Sequence, residues 1–440
     1  MPAMSDVFKI TGGAPLHGEI TLSGAKNAAS KMMIASLLTD EQVILFNVPR
    51  QRETEITQEI LEAVGSKIDW KDDHTLHVHT PEITDTSVRK LSRRNRISIL
   101  SIGPLLHRAG EAIVPGPGGC PLGPRPVNFH IEILKQMGAE VENIEEGYHA
   151  RVNGRLQGAV IELAYPSVGA TETAILAGVL AEGRTTILNA AGEPEVKELI
   201  MMLQNMGAII QVNTGRHIEI IGVEKLHGVR ARVMPDRMEA ASYACMALGT
   251  GGEILVRDAE QAHMITFLNA VRKIGGEYEV RPDGILFRGT KGLKGLEMET
   301  DTHPGFMTDW QQPFVVVLTQ AKGTSVVHET VYEERFGYTK SLVKMGAEVT
   351  LFSNCLGEID CRFKGRNYKH SAVITGPRNL KAAEVEVPDI RAGLALVVAA
   401  LVADGTSTLS GIHHLDRGYE RLEEKLRGVG AKIERVSVNE

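Results

Sequence analysis

Cys120 sits in VPGPGGCPLGPRPVNFH (residues 114–130), a stretch whose prolines and glycines leave almost nothing to start a helix before Val127. A thiol in an accessible, cation-rich loop has a depressed pKa and reacts. Its glycine-rich flanks suit a lid that closes over a substrate. Five residues on, Arg125 is held between Pro124 and Pro126, which stiffen the backbone and preset the guanidinium. Planar guanidinium forks suit bidentate contacts with carboxylates and phosphates. Lys26, Arg391 and Arg417 lie in turns beside apolar stretches, where a purely structural cation has less reason to be. Arg335 follows a strand, and Arg96 begins an apolar helix after a run of solvated charge. Asp309 in HPGFMTDWQQP and Asp389 in VPDIRAG are candidate helix caps. A general base would also need a hydroxyl within reach, which spacing does not establish.

The elements that must position these residues repeat. An apolar residue, Gly, a small residue and a β-like run recur at Gly65, Gly138, Gly207, Gly275, Gly346 and Gly430, at intervals of 73, 69, 68, 71 and 84 residues. Each signature follows an amphipathic helical stretch, so the glycine is a left-handed helix stop and a strand follows. Upstream in the units lie a short strand, a polar turn and a mostly apolar helix, as in AAEVEVPDIRAGLALVVAALV. Helices this apolar are expected inside, with sheets around them. The unit is β-α-β-α-β-β-like, about seventy residues long by these intervals. Six copies predict an α/β chain of two domains with three units each. The longest interval holds CLGEIDCRFKGRNYKH (residues 355–370), whose charged, partly alternating character predicts a surface hairpin. Exposed N–H groups and the helix dipole attract anions to the turns before the apolar helices. Those turns carry Lys26 and Asn27, Ser167, Val168 and Gly169, Asp236 and Arg237, Asp309, Asp389 and Arg391.

Bulk properties narrow the function. A net charge of −7 argues against a general nucleic-acid binder, and an anionic substrate would need cations gathered locally. No run of 18 or more apolar residues predicts a membrane span, and no leader is apparent. Four cysteines without framework spacing fit a reducing cytoplasm. Cys245, within SYACMALG, reads as a small buried hydrophobe. His74, His77 and His79 read as a surface strand, and Cys355 and Cys361 show no matching partner pair, so no metal is expected. There is no P-loop and no dinucleotide fingerprint.

Taken together, SGAKNAA, PGGC with the following RPV and FH, SVGAT, AGEPE, PDRMEA, HPGFMTD, ETVYEERF, DIRA and HLDRGYERLE resemble, in order and over essentially the whole chain, the enolpyruvyl transferases. The resemblance implies a two-domain inside-out α/β barrel with three repeats per domain. Its domains would be 27–234, carrying the Cys120 lid, and 1–26 with 235–440, with the active site in the cleft between them. It implies transfer of the enolpyruvyl group of phosphoenolpyruvate to the 3′-hydroxyl of UDP-N-acetylglucosamine with release of phosphate, the first committed step of peptidoglycan synthesis. No cofactor, nucleic acid or membrane partner is implied, and the oligomeric state is left open. By motif, Cys120 would protonate the methylene carbon and Asp309 would take the hydroxyl proton. Lys26, Arg125 and Arg417 would hold the phosphate, Lys26 and Arg417 acting in the chemistry itself, and Arg335 and Arg391 the carboxylate. Asn27 would touch both substrates. Arg96, Arg125, Pro126, Val127, Asn128, Phe129, Ser167, Val168, Gly169, Asp309 and Val331 would line the UDP-sugar site. The chain departs from the family where it has Tyr165 for a usual Lys, Leu100 for a Trp and Asn128 for an Asp. These positions lie on the nucleotide side, which keeps a different nucleotide or nucleotide-sugar acceptor open. A silent paralogue that binds a nucleotide-sugar and an RNA-end-processing enzyme on the related repeat fold are the remaining alternatives; the shikimate-pathway enolpyruvyl transferase shares the fold, but its members lack the Cys120 loop, which ranks it lower.

Overall fold

The structure, a computed structural model, describes residues 4–92, 95–116, 127–145, 147–359 and 361–439. The chain divides into two units, one built from residues 4–23 and 235–439, the other from 24–116 and 127–234. The seventy-residue repeat is present in both. It is complete as strand Val160–Glu162, helix Val168–Gly178, strand Arg184–Leu188, helix Pro194–Asn205 and the strands Ile209–Asn213 and His217–Ile221. Arg184–Leu188 pairs in parallel with Val160–Glu162 and antiparallel with His217–Ile221, which pairs with Ile209–Asn213. Among the described residues there are six such sheets, five of four strands and one of three. In the smallest, the first strand is reduced to a single bridge between Ser87 and Ile113.

Two strands close the units out of sequence order. Arg230–Arg232 pairs in parallel with Val43–Phe46, and His17–Thr21 with Glu253–Arg257. Met4–Thr11 lies between Thr406–Ser410 and Lys432–Asn439, antiparallel to both. The amino terminus is thereby stitched into the last repeat.

The six signature glycines all follow a helix and all have φ between 83° and 105°. That left-handed backbone strains any side-chain-bearing residue, so glycine ends each helix and turns the chain into the next strand. The apolar helices Arg237–Thr250, Thr308–Thr319 and Ile390–Val402 pack against one another. Every residue from Ile390 to Leu401 is buried. A sequence such as IRAGLALVVAALV offers water no polar stripe, so it is stable only when enclosed. Helices on the other side of each sheet are amphipathic. Pro194–Asn205 buries Val196, Leu199, Ile200 and Leu203 and exposes Met201 and Gln204. Among the described residues no helix is long and apolar enough to cross a membrane.

One expectation is corrected. Residues 353–359 and 361–370 contain no strand pair, only turns and bends, between the strands Glu348–Phe352 and Ser371–Gly376. Gly357 and Gly365 interrupt the alternation that suggested a hairpin, and Cys361 and Phe363 turn inward and are buried.

The helix-stop role gives a test at Gly430, where φ is 91° and a Cβ would meet nothing within 4 Å. Gly430→Ala should lower stability by about 1 kcal/mol through backbone strain alone. Gly428→Ala, at the last helical residue of Leu422–Gly428 and equally unobstructed, should be neutral or stabilising. Melting temperatures of the two variants, compared with the parent, check this pair of outcomes.

Candidate active site

In the unit of residues 4–23 and 235–439 the polar side chains gather where the three buried helices begin. Asp389 caps Ile390–Val402, its Oδ1 accepting from the backbone N–H groups of Arg391 (2.8 Å) and Ala392 (3.0 Å). Asp236 caps Arg237–Thr250 in the same way, through Met238 and Glu239. Asp309 does not cap. Met307 holds the cap position of Thr308–Thr319, and Asp309 is the second helical residue. Its carboxylate instead accepts from Arg335 Nη2 at 2.9 Å and from Arg391 Nε at 3.2 Å. Both arginines are buried, and Arg391 Nη1 also donates to the Tyr419 hydroxyl at 2.8 Å. Among the described residues, the buried Arg335 Nη1 has no hydrogen-bond partner.

Burial alone disfavours charge on Arg391, but Tyr419 and Asp309 outweigh it, so its pKa lies above the usual arginine value. Burial disfavours charge on Arg335 as well, and Asp309 and Asp389 reverse the balance. Tyr419 is pushed up to about 12 by its own burial, although Arg391 pulls the other way. Arg417 is also buried, in the turn after Ile412–His414. Val331 is half-buried, and its N–H donates to Glu329 at 2.9 Å.

In the unit of residues 24–116 and 127–234, Lys26 and Asn27 are the first two residues of the helix Lys26–Ala35, whose amino end has no side-chain cap. Both are half-buried. Ser167 caps Val168–Gly178, its Oγ accepting from Ala170 N–H at 3.4 Å. Gly169 lies against the His130 ring, which a Cβ there would meet at 3.0 Å. His130 is bonded through Nδ1 to Thr173 at 2.6 Å, joining Asn128–Gln136 to Val168–Gly178. Burial, reinforced by the charge of Arg96, lowers its pKa to about 4, so it stands neutral near pH 7. Val127 occupies the cap position of that helix without a side-chain bond, while Asn128 is exposed and Phe129 half-buried at its start. Arg96 precedes the 3-10 turn Ile97–Ser101, as expected of a helix start.

The structure thus brings Asp309, Arg335 and Arg391 into direct contact, and groups Arg96 with the first turns of Asn128–Gln136 and Val168–Gly178. Cys120, Arg125 and Pro126 lie outside the described residues. Three partners escaped sequence reasoning. Tyr419 orients Arg391. Glu329 accepts from Val331, Tyr332 and Thr308 and so shapes the segment leading to Arg335. Glu239 is buried and paired with Lys425 at 2.9 Å, both bonded to Ser23. All three stand inside motifs singled out above, Glu239 in PDRMEA, Glu329 in ETVYEERF and Tyr419 in HLDRGYERLE. Cys245 is buried, as expected. Cys355 and Cys361 do have companions, since the fold sets His328 and His370 beside them, far apart in sequence from any recognisable spacing.

This fold is that of the enolpyruvyl transferases. Residues 10–426 match the EPSP synthase (3-phosphoshikimate 1-carboxyvinyltransferase) family, and the chain belongs to it. It is 48% identical, over 98% of its length and 94% of the relative's, to a UDP-N-acetylglucosamine 1-carboxyvinyltransferase of Protochlamydia amoebophila. The enzyme of the same name from Granulibacter bethesdensis is 42% identical, over 98% of this chain and 100% of that one. Among solved structures, the enolpyruvyl transferase NikO from Streptomyces tendae superposes with a TM-score of 0.85 at 23% identity, over 99% of this chain and 100% of that one. EPSP synthase from Acinetobacter baumannii does so at 0.76 and 19%, over 98% and 100%. The two superpositions establish the fold.

Glu172 offers a pH test of this region. Its burial raises its pKa from 4.5 to about 7, against the pull of Lys31, whose Nζ lies 4.0 Å away. Between those values the unfolded chain has released a proton that the folded chain keeps, so stability falls as pH rises through the window. The loss amounts to about 3 kcal/mol at most, complete above the folded value. Glu172→Gln should flatten the fall in melting temperature between about pH 5 and about pH 7.5. An unchanged slope would show that Glu172 is ionised throughout.

Proposed function

We propose that this chain transfers the enolpyruvyl group of phosphoenolpyruvate to the 3′-hydroxyl of UDP-N-acetylglucosamine, releasing phosphate and committing the sugar to peptidoglycan synthesis. The observation that carries this reading is the 48% identity, over nearly the full length of both chains, to a relative bearing that activity in its name. The reading places the reaction in the cytoplasm.

The chemistry assigns roles to the residues above. Cys120 gives a proton to the methylene carbon of phosphoenolpyruvate while the sugar oxygen bonds to the neighbouring carbon and its proton passes to Asp309. The product of this addition is a tetrahedral ketal that still carries the phosphate. Loss of a proton from the new methyl group and departure of phosphate then restore the double bond. Lys26, Arg125 and Arg417 hold the phosphate, and Arg335 and Arg391 the carboxylate, as preorganised charge that needs no rearrangement at the transition state. Asp309 is engaged by both carboxylate-binding arginines at 2.9 and 3.2 Å. A substrate carboxylate competes for the same guanidinium forks, so its binding releases Asp309 oxygens toward the sugar hydroxyl. Asn27, Arg96, Val127, Asn128, Phe129, Ser167, Val168, Gly169 and Val331 take the UDP-sugar, with Arg125 and Pro126.

A second acceptor is favoured by one observation, the departures at Tyr165, Leu100 and Asn128. Leu100 is buried and Asn128 exposed, so neither reproduces the aromatic or acidic group usual there.

Phosphate release from phosphoenolpyruvate tests the proposal. It should depend on UDP-N-acetylglucosamine, cease after treatment with fosfomycin, and fall by at least about 100-fold in Cys120→Ser, which replaces the acid by a poorer one. Release with another nucleotide-sugar but not with this one would overturn the acceptor and keep the reaction. Arg391→Lys should raise KM for phosphoenolpyruvate by about 10-fold or more, because an ammonium cannot reproduce the bidentate fork. An unchanged KM would remove Arg391 from the carboxylate site.

A further inference from the structure

The segment between the strands Glu348–Phe352 and Ser371–Gly376 carries two thiols, and the fold adds two imidazoles. Cys355 stands three residues past the first of these strands, Cys361 in the turns that follow, and His370 immediately before the second. His328 ends the strand Gly323–His328, whose partner in register is Ser371. All four therefore meet at one end of one sheet. Their ligand atoms, two sulfurs and two ring nitrogens, lie within 4.8 Å of one another.

The distances discriminate between explanations. Cys355 Sγ is 3.5 Å from Cys361 Sγ and 3.4 Å from His370 Nε2. A disulfide would need sulfurs about 2 Å apart, and both cysteines are free thiols. Four ligands tetrahedrally around one zinc ion, with Zn–S of about 2.3 Å and Zn–N of about 2.05 Å, sit about 3.8 Å apart sulfur to sulfur and about 3.6 Å sulfur to nitrogen. The two observed separations, 3.5 and 3.4 Å, lie close to those edges, and the remaining ligand atoms fall within 4.8 Å.

The imidazoles are already in the tautomer a metal needs. His328 Nδ1 is bonded to Glu299 Oε2 at 2.9 Å, and His370 Nδ1 to the Tyr368 carbonyl at 2.8 Å. An acceptor at each Nδ1 draws the ring proton there and turns the Nε2 lone pair toward the sulfurs. Carboxylate and carbonyl acceptors of this kind are the usual supports of metal-bound histidines. His328 is fully buried, and among the described residues its Nε2 has no hydrogen-bond partner. An unpaired buried nitrogen is costly unless something fills its lone pair. Glu299 also accepts from the backbone N–H groups of Glu358 and Ile359 at 2.7 and 2.9 Å, fastening the loop from outside.

We propose that His328, Cys355, Cys361 and His370 bind one zinc ion as a closed, structural site. Three ligands are buried, with Phe363 walling the His370 ring at a centroid distance of 5.7 Å. Four protein ligands leave no open position for a substrate. The ion supplies what this segment lacks, since its described residues have neither helix nor strand to hold them. Its effect reaches further, because the carbonyl of His370 accepts from Glu329 N–H at 2.8 Å, and Glu329 organises the turn leading to Arg335.

The test is metal content, not turnover. Untagged protein purified under reducing conditions without chelator should contain about one zinc per chain by inductively coupled plasma mass spectrometry, and Cys355→Ser/Cys361→Ser almost none. Because that variant could fold poorly, the parent supplies a second readout. Chelator-treated, fully reduced parent protein should melt earlier, recover with added zinc, and develop the visible absorption of a tetrahedral cobalt–thiolate centre when titrated with cobalt(II). Isolated parent protein free of zinc that gives no such absorption would overturn the proposal. So would a Cys355–Cys361 disulfide, found by alkylation and mass spectrometry, in protein isolated without reductant.

Discussion

A helix with no polar face has to be enclosed on every side, and the rest of this structure follows from that constraint. Ile390–Val402, Thr308–Thr319 and Arg237–Thr250 are buried almost from end to end. Three small sheets and three amphipathic helices are what each repeat trio contributes to cover such a core. Enclosure satisfies the side chains but leaves the first N–H groups of each helix without partners. Those ends are where polar residues must be, and Asp236 and Asp389 take up the task. The same ends then hold Arg237, Asp309 and Arg391, so the residues read as chemical stand where the fold already requires polarity and positive potential.

Buried charge is stable only in company. Arg335 and Arg391 share Asp309, and Arg391 adds Tyr419. Glu239 is raised in pKa by burial and steadied by Lys425, with Ser23 bonded to both. In the same unit Asp236 N–H also donates to the Ser23 carbonyl. Removing Asp309 would take the shared carboxylate from two buried guanidinium groups, and removing Lys425 would leave the Glu239 carboxyl without its cation, a loss of about 3–5 kcal/mol in comparable buried pairs. These contacts therefore fix local geometry as well as charge.

The repeat was legible because its determinants are local. Glycine at a left-handed stop, apolar runs and β-like alternation each act over a few residues, and all six glycines adopt the expected φ. The strand crossovers were less so. Nothing local in Arg230–Arg232 says that it completes a sheet begun at Val43. Asp309 and Asp389 look alike as candidate caps, and only packing separates them. The four metal-ligating atoms are the clearest case of what spacing hides. His328 and His370 are 42 residues apart and become neighbours only through the pairing of Gly323–His328 with Ser371–Gly376.

That separation of the two aspartates bears on the proposed mechanism. Asp389 gives one oxygen to two backbone N–H groups at 2.8 and 3.0 Å, bonds that the helix start needs whether or not substrate is present. Moving it to meet a hydroxyl would uncap Ile390–Val402, at a cost of about 1 kcal/mol. Asp309 has a different set of commitments. Its oxygens face guanidinium groups, which an incoming carboxylate can claim, and Arg335 holds a further N–H in reserve. Exchange of one carboxylate for another at those arginines keeps both buried guanidinium groups paired. In the proposed mechanism Asp309 is therefore the group that substrate binding sets free, and Asp389 the one that holds the backbone at Arg391 while it happens.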